Sequence, residues 1–170
     1  MQFAKDSFFM ALCNRLASLN PQRVITVNGI DRTAVIVTEN EVTSAAAMVP
    51  EAFYLEWKAP RVVERQNGAS PLLGIDCVIS YCSAGTTDSG VDRGRSLATL
   101  DGELLYICHP PHTRKRDFSR TPSVDLTSNI FWSTPEWVEG DSRRDQASAD
   151  RLLKRQAQLT VFFFPEADPL

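Results

Sequence analysis

The chain has 170 residues, of which 43% are hydrophobic and 23% are charged. This is the composition of an ordinary globular protein, and it excludes wholesale disorder. The 18 basic and 21 acidic residues leave a net charge of −3, which excludes capture of nucleic acid or of an anionic membrane by the whole surface. A single domain over residues 1–170 is the simplest organisation for this length.

The sequence begins with a predicted amphipathic helix. Apolar residues recur at three- and four-residue spacing from Phe3 to Leu19, and the pattern stops at Asn20-Pro21, because proline cannot continue a helix. The longest apolar run, from Phe8 to Cys13, is shorter than the ~7 to 15 residues of a signal-peptide core. We therefore expect no secretion through a signal peptide.

A hairpin and two long strands are predicted next. Asn28-Gly29 separates two β-branched runs, which predicts a hairpin over residues 23–38. Residues 40–52 fit either a helical turn or a loop. Residues 52–60 alternate apolar and polar side chains up to Pro60, as a strand with one buried face does. Residues 72–82 alternate in the same way and predict a central strand that is apolar on one face and semi-polar on the other.

A second helix is predicted from about Val91 to Cys108, with Asp88 or Ser89 as its N-cap. Pro110 and Pro111 follow and end it. Its apolar face consists of Leu97, Leu100, Leu104, Ile107 and Cys108, and the residues predicted to turn away are Arg93, Arg95, Asp101 and Glu103.

The last third of the sequence has weaker patterns. Residues 109–129 are predicted to form a long basic loop, and residues 130–140 a short strand or a pair of strands. Residues 140–155 form a charged linker with a short helix over 145–155. The final strand is predicted within residues 156–166, with Leu159, Val161 and Phe163 on one face.

Reactive side chains are concentrated at Cys108, His109 and His112. Neighbouring residues on a helix point about 100° apart, and two prolines stiffen the path to His112, so this spacing favours a helix end over a metal site or a cysteine nucleophile. All four cysteines are expected to be reduced, since they show no zinc or redox spacing. The sequence therefore predicts no catalytic, cofactor-binding or metal-ligating residues, no cofactor and no enzymatic activity.

Two groups of residues are candidates for contact with a partner. The first is the basic run Arg114, Lys115 and Arg116, which suits phosphate or a charged protein. The second is aromatic, because bulky side chains on both faces of a strand signal a partner surface or a fully buried strand. The aromatic candidates are Trp132, Phe162 and Phe164.

The order of these elements resembles the tail terminator and tail completion proteins of long-tailed bacteriophages, prophages and contractile devices. The residues that carry the resemblance are the leading helix from Phe3 to Leu19, the strand "LLGIDCVISYC" and the helix "RGRSLATLDGELLYIC" after its turn. The expected fold is α+β, mainly an antiparallel β-sheet with two main helices packed on one face. Residues 109–129 and 140–155 are expected to be insertions into it.

The resemblance implies a structural protein that forms a ring, commonly a hexamer, at the head-proximal end of a tail tube. There it stops polymerisation of the tube and joins the neck. The implied partners are further copies of the chain, a tail tube protein and a neck or connector protein, with DNA passing through the ring and no membrane. The implied location is a virion tail or the bacterial cytoplasm.

Two other functions fit the residues. One is a small cytosolic enzyme or ligand-binding domain with a pocket on the sheet face, around Trp57, Tyr81 and Trp132. The other is a nucleic-acid adaptor that uses Arg114, Lys115 and Arg116 on phosphate, with Phe118 stacking on a base.

Overall fold

The computed structural model describes residues 1–27, 29–41, 48–65, 70–84, 90–138 and 152–165. The helices are α1 (Gln2–Leu19), α2 (Thr38–Glu41) and α3 (Gly90–Ile107). The strands are β1 (Val24–Val27), β2 (Ile30–Thr33), β3 (Val35–Val37), β4 (Phe53–Glu64), β5 (Leu72–Ser83), β6 (His112–Asp117), β7 (Val124–Trp132), β8 (Glu136–Val138) and β9 (Leu153–Phe163). Within these ranges no helix is long and apolar enough to cross a bilayer.

Seven strands form one curled sheet shaped like half a barrel. Their order is β3-β4-β5-β9-β7-β6, and β8 pairs with β9 beside β7. The pairs are antiparallel except for β3 and β4, which are parallel. The expected α+β class with a mainly antiparallel sheet is therefore confirmed. The last described strand lies in the middle of the sheet, next to β5.

Both long helices pack on one face of this sheet, as predicted. α1 contacts both β3 and β6, the strands at the two edges, so it fills the concave side of the half-barrel. The ring of Phe8 lies edge-on between Trp57 and Trp132, at centroid distances of 5.6 and 5.1 Å. Edge-to-face aromatic contacts stabilise a core beyond the effect of apolar burial alone. The predicted apolar faces of α1, β5, α3 and β9 all enter this core.

The hairpin predicted over residues 23–38 is confirmed for β1 and β2, which pair antiparallel around Gly29 at φ 79°. The positive φ suits glycine, since it has no Cβ to clash with the backbone. β3 leaves the hairpin and joins the main sheet. A small apolar cluster anchors the hairpin to the face of β3 and β4 that points away from the helices; it contains Ile25, Ala34, Ile36, Ala52 and Tyr54.

The turn after α3 is held by one arginine of α1 and one tryptophan of β7. The Arg15 guanidinium donates to the carbonyls of Ile107, Pro110 and His112 at 2.8 to 3.0 Å. The Trp132 indole donates to the carbonyl of Cys108 at 2.8 Å. The last carbonyls of a helix have no partner inside the helix, so Arg15 and Trp132 supply hydrogen-bond donors to the carbonyls at the end of α3. Cys108 is buried and the two histidines are exposed, as a helix end requires.

The predicted basic loop at residues 109–129 is wrong. Most of this segment forms the antiparallel pair of β6 and β7 at one edge of the sheet. It therefore belongs to the main sheet. The backbone N–H of Arg116 on the outer edge of β6 donates to the Ser7 hydroxyl of α1 at 2.9 Å. Together with the Arg15 bond to His112, this contact covers an edge that would otherwise offer unpaired groups to another strand.

Glu103 is buried, although the helical pattern predicts that it turns away from the core. Arg23 donates to both of its carboxylate oxygens, at 2.8 and 3.0 Å, and Asn20 donates to one of them at 2.8 Å. Arg23 also donates to Glu51 at 2.6 Å. This network connects the end of α1, the start of the hairpin and the middle of α3.

Other predictions are only partly correct, or fall partly outside the described residues. β4 continues through Pro60 to Glu64 instead of ending at the proline, which sits between two register shifts. Residues 153–155 belong to β9 and not to a short helix, and residue 152 precedes the strand. The rest of the predicted helix lies outside the described residues, as do Asp88 and Ser89. Residues 130–140, predicted as a short strand or a pair of strands, contain two strands, the end of β7 and β8, and each of them pairs with β9.

Replacing Glu103 with alanine should lower the free energy of unfolding by about 2–4 kcal/mol, because it leaves the Arg23 guanidinium largely buried without its bidentate partner. Urea unfolding followed by circular dichroism measures this. Glu56→Ala is the matched control: Glu56 pairs with Lys58 on the surface, so its removal should cost less than about 1 kcal/mol. Equal losses for the two variants would contradict the structural role assigned to the network.

The four cysteines form no disulfide, and Cys77, Cys82 and Cys108 are buried while Cys13 is half-buried. Burial raises the pKa of Cys108 to about 12 and the pKa values of Cys77 and Cys82 above their usual value. These three thiols stay protonated and unreactive at neutral pH. In the native protein, titration with an aromatic disulfide reagent at pH 8 should modify Cys13 alone, and all four thiols should react in denaturant. Fast modification of a second thiol would contradict this packing.

Candidate interaction surface

The face of the sheet that points away from the helices carries a row of apolar side chains; we call this face the outer face. The cross-strand register places Gly74 of β5 beside Phe162 of β9, Phe162 beside Phe131 of β7, and Phe131 beside His112 of β6. Directly opposed residues in antiparallel strands share a face. The rings of Phe131 and Phe162 stack at 5.3 Å with an interplanar angle of 20°.

Gly74 makes this row continuous. A Cβ at Gly74 would lie 2.8 Å from Cγ2 of Val63 and 3.6 Å from the Phe162 ring. The missing side chain therefore lets Val63 of β4 approach Phe162 over the glycine. Val63, Phe162 and Phe131 together form a ridge across four strands, and we call these three residues the aromatic ridge. Val63 and Phe131 are 45% and 40% exposed, so the ridge presents apolar side chains to solvent.

A polar cluster borders the ridge on the β4 and β5 side. Arg61 pairs with the carboxylate of Asp76, and the Thr160 hydroxyl donates to the same carboxylate at 2.6 Å. The hydrogen bond from Arg61, supported by that from Thr160, holds the pKa of Asp76 below its usual value. The semi-polar face predicted for the central strand is this face. Asp76 remains ionised at neutral pH and is already satisfied within the chain.

Two of the three predicted basic contact residues lie on the other side of the ridge. Arg114 and Arg116 project from β6 on the outer face and both pair with Asp125 of β7, at 3.2 and 2.5 Å. Arg114 is 70% exposed along its side chain. These two arginines and one aspartate leave a net positive charge next to the aromatic rings.

Lys115 does not belong to this surface, contrary to the sequence-based prediction. Alternation along β6 turns it inward, where it is 1% exposed. Its ammonium donates to the carbonyl of Phe164 at 2.5 Å and lies 5.9 Å from the centre of the Phe163 ring. Lys115 therefore connects the edge strand to the end of β9 and is inaccessible to a partner.

The three predicted aromatic contact residues also lie in different parts of the fold. Phe162 lies in the ridge, and Phe164 follows the end of β9 and is 42% exposed. Trp132 is buried in the core against Phe8, so its prediction as a contact residue is wrong. Phe131 was not predicted, although the alternation of Ile130, Phe131 and Trp132 carried the signal: its two neighbours point inward.

The three side chains around which a ligand pocket is suggested, Trp57, Tyr81 and Trp132, are buried in the same core cluster. The Tyr81 hydroxyl accepts from the Trp137 indole at 2.7 Å and donates to Asp101 at 2.5 Å, and Asp101 also pairs with Arg155. Burial and the hydrogen bond to Asp101 raise the pKa of Tyr81 far above neutrality. The phenol stays protonated, which suits a structural link and not a general base.

A small cleft opens elsewhere, between the first turns of α1 and strands β3 and β4. It has a volume of about 160 Å³. Lys5 crosses it, 3.4 Å from Glu39 and 5.4 Å from the centre of the Trp57 ring. We call it the α1 cleft; its lining consists of Gln2, Lys5, Asp6, Phe9, Val37, Glu39 and Trp57. Among the described residues, no three His, Cys, Asp or Glu side chains come together to hold a metal ion.

Comparison with known proteins adds no family. No protein-family model matches this chain. A search of curated proteins gives no significant match either. The features of the chain that bear on its function are therefore the aromatic ridge, its charged borders and the α1 cleft.

Replacing Gly74 with alanine should destabilise the fold by about 1–3 kcal/mol, since the new Cβ overpacks against Val63. Gly102→Ala is the matched control: Gly102 lies in α3 with open space around it, so alanine there should stabilise by up to about 1 kcal/mol. Thermal and urea unfolding of both variants measure the difference. A neutral Gly74 variant would show that Val63 and Phe162 are not closely packed.

Proposed function

We propose that this chain is a self-associating structural subunit, and that it acts as a tail terminator. In this role it forms a ring, commonly of six copies, at the head-proximal end of a phage-like tail tube, stops polymerisation of the tube and joins the neck. The observation that carries the proposal is the aromatic ridge. Helices cover the opposite face of the same sheet, whereas Phe131 and Val63 remain open to solvent.

The order of elements supports the same assignment. A leading helix, a hairpin, two long strands, a second helix and a late strand follow one another, and this is the order on which the resemblance to tail terminators is based. The edge strand β6 is covered by contacts from α1. Association through that edge would first have to displace them, so side chains on the faces are better placed to make contacts between copies.

The competing functions have less support. The α1 cleft, at about 160 Å³, is smaller than the roughly 300–1,000 Å³ of typical ligand pockets. A nucleic-acid platform would need open ring faces for the bases, whereas Phe131 and Phe162 already stack on each other and Arg114 and Arg116 already share Asp125. Contact with protein fits the ridge better than either.

Size-exclusion chromatography with light scattering tests the proposal. We expect the wild-type chain to show a mass near six times its 18.9 kDa, or an oligomer that grows with concentration. Phe131→Ser with Val63→Ser should shift the protein toward the monomer, because the exposed apolar area is lost. Val91→Ser is the control, an exposed apolar residue at the start of α3. A wild-type chain that stays monomeric at millimolar concentration would refute the proposal.

The proposed tail-terminator role is tested by a separate experiment on tube length. Added to a polymerising tail tube protein, the chain should shorten the tubes seen by electron microscopy and lie at one end of them. Tubes of unchanged length, with a chain that does form rings, would keep self-association and reject the terminator role.

A further inference from the structure

A ring built by repeating one contact requires two different surfaces on each subunit, because the contact is head-to-tail. We propose that the aromatic ridge of one copy, with Phe164 beside it, packs into the α1 cleft of the next copy. This inference depends on the proposed self-association and assigns the two surfaces that make it. The occupant of the cleft is thus a second copy of this chain.

The sizes of the two surfaces agree. The cleft has an apolar floor of Phe9, Val37 and Trp57 and a volume of about 160 Å³. A cavity of ~150 Å³ is large enough to hold a benzene-sized ring. The cleft therefore accepts one phenyl ring, and the ridge offers Phe131, with Phe164 at the adjacent strand end.

The charges of the two surfaces are also complementary. The cleft carries two carboxylates, Asp6 and Glu39, against one ammonium from Lys5, for a net charge of −1. The β6 side of the ridge carries Arg114 and Arg116 against Asp125, for a net charge of +1. Opposite potentials across an interface favour the correct partner and orientation.

A symmetric contact between two ridges is less favourable. The outer face is the convex side of a half-barrel, since the helices fill the concave side, and two convex faces touch over a small area. The head-to-tail arrangement avoids this problem because it joins a projection to a recess.

Cysteine cross-linking tests which surfaces meet. One variant carries Gln2→Cys at the cleft, the other His112→Cys beside Phe131, both with Cys13→Ser so that the remaining native thiols are buried. With a short bismaleimide, we expect a covalent dimer only when the two variants are mixed. A chain that carries both substitutions should give a ladder of oligomers. Dimers from the His112→Cys variant alone, with none added by mixing, would overturn the head-to-tail contact.

A charge exchange provides an independent measurement that leaves the apolar residues intact. Arg114→Glu with Arg116→Glu, and Asp6→Lys with Glu39→Lys, should each weaken self-association at least tenfold in analytical ultracentrifugation. An equimolar mixture of the two should regain affinity, because the exchanged charges again match across one contact. Circular dichroism confirms that each variant is folded.

The two proposals fail in different ways. A wild-type chain that never associates rejects the proposed function and this inference together. A chain that associates normally, shows no cross-link between positions 2 and 112 and is unaffected by the charge exchange rejects only the assignment of the surfaces.

Discussion

The guanidinium of Arg15 fixes the arrangement of the elements on which the rest of the fold depends. It holds three carbonyls of the turn between α3 and β6 and lies over the Trp132 ring, 5.2 Å from its centre. Hydrogen bonds to a charged group contribute about 1.5–3 kcal/mol each. One side chain of α1 thereby ties the end of α3 to the start of β6, which pairs with β7, the strand that carries Phe131.

Much of the fold could be predicted because its signals are local. Helical spacing located α1 and α3, Asn28-Gly29 located the first hairpin, and alternation located β4, β5 and the last strand. β6 was missed because its inward residues, Lys115 and Asp117, are polar, so the sequence shows no apolar alternation there. The buried lysine is stabilised by a carbonyl at the distant end of β9 and by the ring of Phe163. The parallel pairing of β3 with β4 likewise has no local signature.

Six residues are predicted from their type to contact a partner, and four of them, Arg114, Arg116, Phe162 and Phe164, are not buried. Residue type alone could not distinguish these four from Lys115 and Trp132, because burial depends on which residues of each strand point toward the core. The prediction for Glu103 was wrong for a similar reason. A helical pattern shows on which side of the helix Glu103 lies, but it does not show that Arg23, 80 positions earlier, packs against that side.

The place of β9 in the sheet affects how the protein is made. β5 pairs with β4, which precedes it in the chain, and with β9, which follows about 80 residues later. A nascent chain that does not yet contain β9 therefore carries a central strand, β5, with one open edge. Such edges attract other strands. The sheet is complete only when β9 is available, and until then the open edge of β5 can pair with other copies of the partial product.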